Sequence, residues 1–140
     1  MTIQATVLMP GAAEGELLAS HESLSFWGGY EQSSGEIIDR RHDLSGQIAA
    51  GKILAFPHTK GSSTTTAIIL ESVRAGVAPA AFIMQTADHF IGLACVVANE
   101  MYGVEIPLLV AEKGDFETIV SASRRHVVLT SDGLIQVQDM

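Results

Sequence analysis

The segment from Pro57 to Thr66 gathers serine and threonine hydroxyls around Gly61, between a short apolar run and a stretch with helical periodicity. A strand is expected over Lys52 to Phe56, stopped by Pro57, and a helix opens at Gly61-Ser62-Ser63-Thr64 and runs to about Ala75. Ligands collect at such a strand-to-helix junction in α/β folds. Unpaired N–H groups and the positive end of the helix macrodipole favour an anion there. A serine in that field could hydrogen-bond a carboxylate, and its alkoxide would be stabilised. The same spacing also fits Ser62 or Ser63 as a plain helix N-cap. No phosphate loop of the Walker type is present, because Lys60 precedes the glycine.

A second cluster is Asp39-Arg40-Arg41-His42. Two adjacent guanidinium groups could clamp a carboxylate in bidentate fashion, which lysine does less well. As a rival reading, the cluster is a solvated turn. The chain has only 8 Lys and Arg residues, so a neighbouring pair is a local concentration. Arg124-Arg125-His126 repeats the pattern just ahead of a strand and reads as an edge or solvated face. The five histidines show no i, i+4 pairing and no cysteine at ligand spacing, so no metal site is expected within the chain. Cys95 sits in an apolar helical stretch as a small hydrophobe. A Gly-x-Ser-x-Gly elbow is absent. The Gly-rich stretch Ser23 to Tyr30 holds the only tryptophan, and a surface loop rich in aromatics is more often functional than filler.

Thr2 to Met9 alternates as a strand, and Glu16 to Ser20 reads as another short one. Ala80 to Gln85 and Ile106 to Val110 are short buried strands. Between them, His89 to Tyr102 repeats apolar residues at Ile91, Ala94, Cys95, Ala98 and Met101, with Gly103 as its stop. This gives a βαβαβ centre with parallel pairing. His126 to Thr130 and Leu134 to Gln138 flank Ser131-Asp132-Gly133 as a hairpin. A mixed α/β domain over residues 1–140 with a partly closed barrel is expected, rather than a plain doubly wound sheet.

The net charge of −8 argues against nucleic acid as a partner. Apolar residues reach 47% against 17% charged, yet no uninterrupted apolar stretch approaches the ~18–20 residues of a membrane span. Met1 to Pro10 lacks a basic, apolar leader pattern, so a cytoplasmic domain is expected. Its apolar surplus is expected to be covered by a partner.

Four strings occur in order: Leu24-Ser25-Phe26-Trp27-Gly28-Gly29-Tyr30, Gly35-Glu36-Ile37-Ile38-Asp39-Arg40-Arg41-His42, Gly61-Ser62-Ser63 and Gly76-Val77-Ala78-Pro79-Ala80-Ala81. Together they resemble the small subunit of the aconitase X family, over about Gly15 to Val110. The resemblance implies an aconitase swivelling-domain-like β/β/α barrel, and a separate large subunit that carries an iron–sulfur cluster on its own cysteines. It implies a hydro-lyase acting on a small hydroxy carboxylic acid, with Ser62 as the base and Ser63 as a binding group beside it. Phe26, Trp27, Gly28, Gly61 and Thr64 are implied as substrate contacts. In aconitase itself an arginine follows Gly-Ser-Ser, where this chain has Thr64. Carboxylate anchoring is therefore expected from Arg40, Arg41 or the large subunit. With few cations available, cis-3-hydroxy-L-proline is the expected substrate ahead of (R)-5-phosphomevalonate. The rival from another class is a non-catalytic module that binds a small carboxylate.

Overall fold

The computed structural model describes residues 1–60 and 63–138. Its strands are β1 (Thr2–Gln4), β2 (Thr6–Met9), β3 (Ala13–Ala19), β4 (Ile53–Phe56), β5 (Ala81–Met84), β6 (Leu108–Val110), β7 (His126–Leu129) and β8 (Leu134–Val137). The helices are α1 (Ser63–Arg74), α2 (His89–Tyr102) and α3 (Lys113–Ser121). The strands form one sheet in the order β1-β8-β7-β3-β4-β5-β6-β2. Its two edge strands are consecutive in the chain and separated only by Ala5. The sheet therefore curls almost into a closed barrel, and the expected mixed α/β barrel is what forms.

Two stretches of chain make the corners. Thr2–Gln4 pairs antiparallel with β8, while Thr6–Met9 pairs antiparallel with β6. Residues 13–16 of β3 run antiparallel to β7, whereas Leu17–Ala19 runs parallel to β4. The single strand expected over Thr2 to Met9 is thus two strands, because the chain changes partners at Ala5. The backbone N–H of Ala5 instead reaches the Gly133 carbonyl at 2.9 Å. That contact needs glycine in the β7–β8 turn. Gly133 has φ +90, and a Cβ there would lie 2.7 Å from a Val7 methyl carbon. The N–H of Val137 donates to the Met1 carbonyl at 2.9 Å.

β4 and β5 are buried on both faces, and their alternation divides the core in two. Leu54, Phe56, Phe82 and Met84 point outward to α1, α2 and the loop segment between β3 and β4. Ile53, Ala55, Ala81 and Ile83 point into the barrel, where they meet Val127, Leu129 and Ile135 and the α3 residues Phe116 and Ile119.

Helix α1 buries Thr65, Ile69, Ser72 and Val73, one face at helical spacing. It ends at Gly76, φ +76, in a left-handed cap: Gly76 N–H reaches the Val73 carbonyl at 3.0 Å and Val77 N–H the Ser72 carbonyl at 2.8 Å. In α2, Ile91, Ala94, Cys95 and Ala98 are buried as the periodicity requires. Met101, expected on the same face, is 69% exposed, because it falls nearly a quarter-turn off the buried stripe. β3 begins three residues earlier than expected, at Ala13. β6 starts only at Leu108, since Pro107 has no N–H to give a ladder. Helix α3 has no counterpart in the sequence reading, which passes from β6 straight to the hairpin. It is short, starts Lys-Gly-Asp, and buries only Phe116 and Ile119.

Candidate functional site

The β4–α1 connection is held from two sides. Leu24 N–H donates to the His58 carbonyl at 3.3 Å, and Lys60 N–H donates to the Leu24 carbonyl at 3.1 Å. On the other side the Gln85 and Thr86 N–H groups both reach the Pro57 carbonyl at 3.1 Å. The Thr59 hydroxyl donates to the Asp88 carboxylate, whose other oxygen caps α2 through the Ile91 N–H at 2.9 Å. Gly61 and Ser62 lie outside the described residues. Ser63 is the first residue of α1 and is exposed, and Thr64 is half-buried in the same turn.

The segment between β3 and β4 folds over the same end of the sheet. Its anchor is Phe26, fully buried, with ring centroids 5.2 Å from Tyr30, 6.0 Å from Phe56 and 6.1 Å from Phe82. The Tyr30 hydroxyl donates to the Val77 carbonyl at 2.8 Å, and burial raises its pKa above the ordinary phenol value. Phe26, expected at the substrate, belongs to the core instead. Its neighbour Trp27 is 72% exposed, and Gly28 is exposed with φ +76. Gly29 is required by packing: a Cβ would lie 2.0 Å from the Ser25 carbonyl oxygen.

Asp39-Arg40-Arg41-His42 forms a tight turn, with an Asp39 carboxylate oxygen accepting the Arg41 N–H at 3.0 Å and the Asp39 carbonyl accepting the His42 N–H at 3.1 Å. The His42 ring is buried. Its Nδ1 accepts the Leu44 N–H at 3.1 Å, so the ring hydrogen sits on Nε2 and points to the Glu22 carbonyl at 3.3 Å. Donor atoms of Glu22, His42 and Asp43 lie within 4.8 Å of one another. Internal bonds already use them: Glu22 accepts the Asp43 N–H at 2.8 Å, and Asp43 accepts the Ser20 hydroxyl at 2.6 Å. The cluster is explained by the turn it holds together.

These two segments enclose an open cleft of about 550 Å³, lined by Glu22, Ser23, Asp39, Arg41, His42 and Lys60. Among the described residues, Lys52, Arg74 and Arg124 are paired with carboxylates, whereas Arg41 and Lys60 have no carboxylate partner. Arg41 therefore faces the cleft as a free cation, and Arg40 is exposed but does not line it. Arg124, expected on a solvated face, bridges to Glu16 at 3.0 Å and also bonds Gln47. Sequence reasoning passed over Glu22, Ser23, Lys60 and Asp88 as site residues. Lys60 and Ser23 did lie in segments marked by their composition, and Asp88 carried a signal as an acidic residue directly ahead of the α2 periodicity, whereas Glu22 carried none.

Residues 2–137 match the family described as the aconitase X swivel domain. The chain belongs to this family. The swivel domain superimposes on the aconitase X structure from Thermococcus kodakaraensis with a TM-score of 0.84, at 27% identity and over 99% of both chains. It is 43% identical over 101 residues to a cis-3-hydroxy-L-proline dehydratase of Pseudomonas aeruginosa, covering 72% of this chain but 17% of that protein. It is also 30% identical over 137 residues to the phosphomevalonate dehydratase small subunit of Methanothrix thermoacetophila, covering 98% of this chain and all of that one. The swivel domain thus spans about a sixth of one relative and the full length of the other. No helix among the described residues is long and apolar enough to cross a membrane.

Proposed function

We propose that this swivel domain is the small subunit of a cytoplasmic hydro-lyase that dehydrates a small hydroxy acid, with cis-3-hydroxy-L-proline as substrate. The observation that carries this is the cleft beside the β4–α1 connection, where the unpaired cations of Arg41 and Lys60 stand among the carboxylates of Glu22 and Asp39. Mixed charge suits a zwitterion, with its carboxylate on Arg41 and its ammonium group toward an acid. A phosphorylated carboxylate would meet those two acids unfavourably. The 43% identity to a hydroxyproline dehydratase supports the same choice.

Dehydration removes a proton from the carbon α to the carboxylate and hydroxide from its β neighbour. The C–H electron pair becomes the new double bond as the β C–O bond breaks. Ser62 takes the α proton in this reading, and the N-terminal end of α1, one residue further on, favours its oxyanion form. Arg41 stabilises the carboxylate as negative charge spreads into it.

An iron–sulfur cluster does not fit this chain. Its only cysteine, Cys95, is fully buried in α2, and burial pushes the thiol up to about 12, so it offers no accessible thiolate. The cluster belongs to a large subunit, where it would act as a Lewis acid toward the leaving hydroxyl.

The test is co-expression with the large-subunit gene and assay of both substrates. Turnover of hydroxyproline is expected, and turnover of phosphomevalonate alone overturns the substrate choice. Ser62→Ala should abolish dehydration while the two chains still associate. Near wild-type turnover in that variant removes Ser62 from the base role.

A further inference from the structure

We infer that Thr59 and Asp88 are positioning residues for the reaction, a latch that fixes the β4–α1 connection against the first turn of α2. This rests on the reading of Ser62 as the base. One Asp88 oxygen accepts the Ile91 N–H at 2.9 Å, which ties the carboxylate rigidly to the helix. The other accepts the Thr59 hydroxyl, three residues ahead of Ser62. On the far side of Ser62, the Thr66 hydroxyl donates to the Phe90 carbonyl at 2.7 Å, on the same turn of α2. Both flanks of the Gly-Ser-Ser motif are thereby anchored to one rigid helix end.

An N-cap alone needs only one carboxylate oxygen. The second oxygen is spent on a loop hydroxyl that could otherwise bond water, a charge-assisted contact that restrains the loop. A proton acceptor must stay within hydrogen-bond reach of the carbon it serves, and small displacements cost rate more than binding. Arg41, which takes the carboxylate, sits on its own turn, closed by Asp39, in the segment between β3 and β4. That segment meets the latch loop through backbone bonds of Leu24, which neither the Thr59 nor the Asp88 side chain makes. Loosening the latch should therefore slow the chemical step and leave substrate affinity in place.

The experiment uses the two-chain enzyme with hydroxyproline. Thr59→Val removes the hydroxyl while keeping shape and the α2 cap, and is expected to lower kcat about 10- to 100-fold with KM within about twofold. Thr59→Ser is expected to restore kcat to within about threefold of wild type, which a mere packing role for the side chain would not do. Asp88→Asn keeps an oxygen for Ile91 but loses the charged acceptor, and should lower kcat about threefold or more, again with KM held. The inference is overturned if Thr59→Val and Asp88→Asn both keep wild-type kcat, or if their loss falls mainly on KM. If Thr59→Val is inactive because it fails to associate with the large subunit, Asp88→Asn decides by the same split. Activity in Ser62→Ala defeats the base assignment. An inactive Ser62→Ala beside wild-type Thr59→Val and Asp88→Asn defeats only the latch.

Discussion

Phe26 and Trp27 are adjacent in a Gly-rich loop, yet the fold predicts opposite consequences for truncating them. The Phe26 ring is fully buried against Tyr30, Phe56 and Phe82, in the layer between the sheet and its covering helices. Phe26→Ala removes the transfer energy of the ring and leaves a cavity that three rigid aromatic neighbours cannot easily close, a loss of about 3–5 kcal/mol. Domains of this kind are stable by only about 5–15 kcal/mol, so much of the stability goes. With a urea m-value of about 2 kcal/mol/M, the denaturation midpoint should fall by about 2 M. Trp27→Ala, at a side chain 72% exposed, should move stability by no more than about 0.5 kcal/mol. Far-UV circular dichroism during urea titration reads both variants, whereas fluorescence would not, because Trp27 is the only tryptophan. A Phe26→Ala midpoint within about 0.3 M of the parent would refute the placement of that ring in the core.

Arg41→Lys should raise KM about tenfold, through loss of bidentate contact, while Arg40→Lys changes it less than about twofold, as steady-state kinetics of the two-chain enzyme will show. Cys95 should resist thiol reagents in the native protein at pH 8 and react once urea exposes it. Its thiol ionises in the unfolded chain near 9.0 but in the folded protein only at about 12. Between those values the unfolded state has lost the proton that the folded state keeps, so stability falls as pH rises from about 9 toward 12. Denaturation midpoints across that range should decline less steeply in Cys95→Ala than in the parent.

The parallel centre was legible because its signals are local. β4 and β5 are unbroken apolar runs, the stripe Ile91, Ala94, Cys95, Ala98 has helical period, and Gly76 and Gly103 mark helix ends. The bend at Ala5 was not, since it comes from two partners, β8 and β6, that lie far away in the chain. Nor was α3, whose nine residues bury only two apolar side chains, too few to set a period. At the site, Arg41 stood out by type. Its distinction from Arg40 needed the turn built on Asp39, which sends one guanidinium to the cleft and the other to solvent. Phe26 misled because aromatics in a Gly-rich loop suggest recognition, while here one ring pins the loop and the next is left free. Lys60 and Glu22 become neighbours only through the Leu24–Thr59 bridge, a contact between segments about 35 residues apart.

The hydrogen bond from Val137 to Met1 sets the first strand and the last side by side. A domain whose two ends meet can be hung from a larger body at a single point, with no chain crossing its surface. The near-closure of the sheet is made within the domain, where the edge strands β1 and β2 meet at Ala5, and not by a strand from a neighbour. Such a domain suits both settings found among its relatives, a match to the whole length of the Methanothrix small subunit and to about a sixth of the longer Pseudomonas protein.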